Sequence, residues 1–89
     1  MTSEPQTRTD ADSARVALSE LSAFLQEAAD LAADRDAPLS RRVTFHLRKA
    51  ELFERLAAEE PDNAERQAAA VQARLQYEHY VLMVEWVTA

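Results

Sequence analysis

Two prolines divide this chain. Pro38 and Pro61 are the strong breaks in a sequence of 89 residues that contains no glycine. Proline lacks an N–H and its ring clashes with the preceding turn, so it stops a helix or sits at the start of the next one. The stretches on either side are rich in alanine and poor in β-branched residues, a composition that favours helix. The expected layout is a polar, disordered tail over 1–9 and one domain over 10–89. Within that domain, helices are expected at about 10–34, 38–60 and 63–87. Three helices with short links imply an all-α fold, a small antiparallel three-helix bundle running up-down-up. The alternative is a long helical hairpin that completes a bundle by dimerising.

Each stretch has its own apolar pattern. In the first, Ala14, Leu18, Leu21, Leu25, Ala28 and Ala32 step by four and three, with Ala17, Phe24 and Leu31 beside them. Thr9 or Asp10 offers the cap, with Asp12 in the first turn. In the second, the stripe is Leu39, Val43, His46, Ala50, Phe53 and Ala57, with Leu47 on one flank and Leu52 and Leu56 toward the other. Asp36 or Ala37 would cap it ahead of Pro38. In the third, Asp62 with Glu65 three residues on forms an aspartate version of the capping box. Its first half is Ala-rich (Ala64, Ala68, Ala69, Ala70, Ala73).

The second half of the third helix is different. At helical pitch Leu75, His79, Leu82 and Trp86 form one apolar line. Ala73, Tyr77, Tyr80, Val84 and Val87 form another, roughly opposite. Only a wedge through Arg74, Glu78 and Glu85 is polar. A helix that is apolar nearly all round has to be buried nearly all round. A chain this short covers one such face, and a partner is needed for the second. Periodicity alone leaves open which line faces inward.

Composition excludes several functions. With no cysteine there is no disulfide, thiolate zinc site or cysteine nucleophile. With no glycine there is no phosphate-cradling loop or dinucleotide fingerprint. The net charge of −6 argues against non-specific nucleic-acid binding. No apolar run has the length of a membrane span, and residues 1–9 lack the apolar core of a signal peptide. A cytoplasmic location is therefore expected, with no membrane partner.

Four local patterns carry candidate chemistry. Glu78-His79 followed by Glu85-Trp86 is locally similar to the ligand helix of encapsulated ferritins. Gln76 stands where that family's first Glu would be, so the resemblance implies metal donors at Glu78, His79 and Glu85, completed across a dimer interface. The competing reading is a histidine packed on an apolar face. Tyr77-Glu-His-Tyr80 with Glu85 also resembles a helix in the small half of nitrile hydratase beta subunits, which implies a non-catalytic subunit. Ala50-Glu-Leu-Phe53 through Leu56 to Pro61 and Ala64 resembles the second helix and junction of a tetratricopeptide repeat, against the plainer reading of an amphipathic helix with a proline stop. Arg41, Arg48 and Arg55 recur every seven residues on the second helix and could grip nucleic acid, or form a solvated face. Glu20, Glu27 and Asp34 repeat with the same period on the first. Successive members are about 10 Å apart, too far to share a metal, and are expected to decorate a solvent face.

No nucleophile–base pair can be assembled from local spacing, and His46 and His79 lie on different helices. The sequence therefore points to a non-enzymatic helical interaction module without a cofactor. It would be a small subunit, adaptor or regulator, associating as a homo-oligomer (a dimer) or within a larger complex. The expected contact residues are Tyr77, Tyr80, Met83, Val84, Trp86 and Val87, because Tyr, Trp and Met are typical interface anchors. Metal binding at Glu78 and His79, and nucleic-acid binding through Arg41, Arg48 and Arg55, are the alternatives.

Overall fold

The computed structural model describes residues 16–88. The expected tail over 1–9 and the helix start at Thr9 or Asp10 lie outside them. Within them the fold is all-α: α1 spans Leu18–Ala33, α2 Leu39–Glu59 and α3 Ala64–Thr88. No helix among the described residues is long and apolar enough to cross a membrane.

The helix ends follow local hydrogen bonding. Ala17 is extended, and its N–H donates to the Glu20 carboxylate at 3.3 Å, so α1 opens at Leu18. The Val16 N–H is held by the Glu59 carboxylate of α2. Pro38 stands just outside α2 in extended conformation, and its carbonyl accepts from the Arg41 and Arg42 N–H groups. At α3 the cap is Asn63, one residue beyond the expected Asp62. Its Oδ1 accepts the Arg66 N–H at 3.1 Å, while its own N–H bonds the Glu60 carbonyl. The last carbonyls of α2, which have no partner within their own helix, are also met. Arg66 donates to Leu56 and Gln67 to Ala57, each at 2.8 Å.

Two registers make the fold up-down-up. Glu20 pairs with Arg55, Glu27 with Arg48 and Asp34 with Arg41, so α1 runs antiparallel to α2. Glu54 pairs with Arg74, Lys49 with Gln76 and His46 with Tyr80, so α2 runs antiparallel to α3. α2 is the middle element. It meets α1 through Phe45, Arg48, Leu52 and Arg55 and meets α3 through Ala50, Ala57 and His46. At helical pitch these sets fall on nearly opposite flanks of α2. The bundle is consequently an open one, in which α2 and α3 pack extensively and α1 is held mainly by α2.

The core is small. Leu31, Phe45, Ala50, Leu52, Ala57, Ala70 and Ala73 are its buried apolar residues. The four alanines line the α2–α3 contact and let those backbones approach closely. Phe45, outside the expected stripe of α2, is buried because a middle helix needs a second apolar flank. It stacks on Phe24 at 5.3 Å.

The phase of α1 also departs from expectation. Phe24 and Leu31 face α2, whereas Leu18 and Leu25, expected in the stripe, are 84% and 64% exposed. The charge ladder explains the rotation. Aligning Glu20, Glu27 and Asp34 with the three arginines turns Phe24 and Leu31 inward and Leu18 and Leu25 out. The two period-seven lines expected on solvent faces are therefore the two halves of one contact.

Candidate functional site

The aromatic half of α3 is divided between two environments. Arg66, Ala70, Ala73, Tyr77, Tyr80 and Val84 recur on the side turned to α2. Tyr77, Tyr80 and Val84, three of the expected contact residues, are half-buried there. Arg74 lies 5.5 Å from the Tyr77 ring and makes a two-pronged bond to Glu54, at 2.6 and 2.9 Å. That guanidinium holds the Glu54 carboxyl below its ordinary pKa of 4.5.

Tyr80 belongs to a chain of rings that crosses all three helices. It stacks on His46 at 4.4 Å and meets His79 edge-on at 6.2 Å. His46 meets Phe45 edge-on, Phe45 stacks on Phe24, and Phe24 reaches Phe53 at 6.1 Å. Nδ1 of His46 is buried without a hydrogen-bond partner. Burial lowers the pKa of this imidazole from 6.5, and the charges of Lys49 and Arg42 push in the same direction. Sequence spacing gave no signal for this chain, because its members lie on three separate helices.

The other side of α3 faces away from α2. Leu75, Leu82 and Trp86 are 54%, 63% and 85% exposed, Val71 and Met83 are exposed beside them, and Val87, about a third of a turn away near the helix end, is 71% exposed. Met83, Trp86 and Val87, the other three expected contact residues, lie on or beside this face. Leu75 and Leu82, on the line left open as a possible inner face, lie here too. His79, Leu82, Met83, Trp86 and Val87 line a shallow depression of 340 Å³. A larger cleft, 640 Å³, lies between α1 and α2 and mixes the charged Glu20, Arg48, Glu51, Glu54 and Arg55 with Ala23, Phe24, Leu52 and Ala58. The α3 depression is thus distinguished by its apolar lining, not by its size.

The alternative sites are placed as follows. Glu78 and Glu85 share one side of α3, and His79 points about a quarter-turn away at helical pitch. Among the described residues no three His, Asp or Glu side chains come together as a metal-binding group. Arg41, Arg48 and Arg55 all point at α1, with nitrogen–oxygen distances of 3.1, 2.9 and 2.6 Å to Asp34, Glu27 and Glu20. The Arg55 guanidinium lowers the Glu20 pKa, with a smaller contribution from the Ala17 N–H. Each arginine of that line already faces a carboxylate within the chain.

No protein-family model, no curated protein and no solved structure matches this chain.

Proposed function

We propose that the chain is a non-enzymatic helical interaction module, a small subunit, adaptor or regulator, that binds protein through the outer face of α3. The observation that carries this reading is the run of exposed Leu75, Leu82 and Trp86 on a helix whose opposite side is already packed on α2. Each large apolar side chain left in water forfeits about 1.5–3 kcal/mol that burial would supply. Contiguous apolar patches of this kind mark contact sites. Trp86 is the natural anchor, since tryptophan is enriched at the energetic centres of interfaces. Within this reading the half-buried Tyr77, Tyr80 and Val84 support α3 from behind.

Trp86 is the only tryptophan and so reports on the face directly. The expected result is binding of an apolar dye by dilute protein, or shielding of Trp86 from acrylamide as concentration rises. Leu82→Glu removes either response without loss of helicity. Trp86 quenched like free indole at every concentration, together with no dye response, ends the reading.

A further inference from the structure

The exposed line on α3 has a repeat of its own. Leu75, His79, Leu82 and Trp86 follow one another at intervals of four, three and four, the spacing of the a and d positions in a two-stranded coiled coil. Leu75 and Leu82 take d, and His79 and Trp86 take a. Ala68 and Gln72 extend the pattern toward the N-terminus. α2 does not use this seam, because it packs on the side of Ala70, Ala73, Tyr77 and Val84.

We infer that the occupant of this face is a second copy of the chain, with the two α3 helices paired in parallel about a two-fold axis. The inference rests on the reading of α3 as the contact face and adds the partner and its orientation. In this arrangement Leu75, His79, Leu82 and Trp86 each meet their own counterpart.

Area, side-chain type and charge support it. Val71, Leu75, Leu82, Met83 and Trp86 together offer roughly 600 Å² of exposed surface, at the lower bound of the ~600–1,000 Å² per partner of a standard stable interface. Leucine at d suits a parallel pair, and a polar residue at a sets register and strand number; His79 and Gln72 are those residues. The flanks select the orientation. In a parallel pair Glu78 comes opposite Met83 of the other chain. In an antiparallel pair Glu78 and Glu85 of the two chains would come together, and like charges there oppose association. A two-fold contact needs only one self-complementary patch.

The test combines mass with cross-linking. At tens of micromolar, sedimentation of the wild type gives twice the 10.0 kDa chain mass. Leu82→Glu, at an exposed position, sediments as a monomer with unchanged helicity. The chain has no cysteine, so His79→Cys supplies a single thiol beside the axis. Mild oxidation links that variant into a dimer, and Glu51→Cys on α2 stays unlinked. A wild-type monomer throughout overturns the inference, while the dye response at Leu82 decides separately whether α3 is a contact face. A dimer that survives Leu82→Glu overturns the inference in the same way. A dimer abolished by Leu82→Glu but not linked through position 79 overturns the parallel pairing and leaves the contact face standing.

Discussion

The two sides of α2 are built by different means. Toward α3 it presents Ala50 and Ala57, which meet Ala70 and Ala73, and all four are buried. Toward α1 it presents arginines paired with carboxylates at the edge of a smaller apolar contact around Phe24, Phe45, Leu31 and Leu52. The alanine contact depends on shape, since four buried methyl groups let the backbones approach closely. The ladder depends on charge, and its side chains are between about a quarter and a half exposed. Ion pairs that open to water are each worth about 0–1 kcal/mol and weaken with salt. They orient α1 more than they hold it. The comparison teaches that α2–α3 is the stable hairpin and that α1 is the element released first.

The largest expected effect comes from crowding the alanine contact. Ala50→Leu forces the α2 and α3 backbones apart at a cost of about 2–3 kcal/mol. For a domain of this size that lowers Tm by roughly 10–20 °C in a thermal melt followed by circular dichroism. An unchanged Tm would mean that the helices are not held at close approach. A smaller effect is expected across α2. Phe24→Ala removes a half-buried ring from its stack on Phe45, at about 2 kcal/mol, less than for a fully buried phenylalanine. Hydrogen exchange should then show α1 amides losing protection while α2 and α3 keep theirs. Equal loss in all three helices would show that the two contacts open as one unit.

The smallest effect is expected from acid, and it separates the buried imidazole from the ion pairs. His46 titrates below its ordinary 6.5 in the folded chain. Its contribution is therefore complete above about pH 6.5 and is lost as pH falls through the lowered value. Glu20 and Glu54 titrate below 4.5 for the same reason of sign, so their contributions persist above pH 4.5 and are lost only in stronger acid. Stability from pH 8 to pH 3 should decline in two stages, and His46→Phe should remove the first. Added salt should weaken α1 protection in the upper range, where the ladder is fully charged. A single decline confined below pH 4.5 in the wild type would show that His46 is not strained by burial.

Much of this was readable in the residues, in unequal parts. Pro38 and Pro61 mark the links because a missing N–H and a ring clash act locally. The Ala-rich half of α3 announces a close contact, since small side chains leave room for little else. The doubly apolar second half of α3 was visible as a conflict, with more apolar surface than one neighbour can cover. Phe45 lies outside the stripe that spacing gives α2, and one stripe cannot serve a helix with neighbours on opposite flanks. The ring chain through His46 and Tyr80 had no sequence signature, because its members are drawn from different helices.

The sequence by itself determined three helices, their breaks, and which residues share a face, because those depend on chain geometry within a few turns. Only the tertiary structure decided which face meets which neighbour. Arg41, Arg48 and Arg55 look like a free basic stripe until Glu20, Glu27 and Asp34 are placed against them. The line through Tyr77 and Tyr80 could face either way until α2 lies against it, which leaves Leu75, Leu82 and Trp86 outward. Periodicity gives the phase within one helix, whereas the rotation of one helix against another depends on shape and charge brought together from distant parts of the chain.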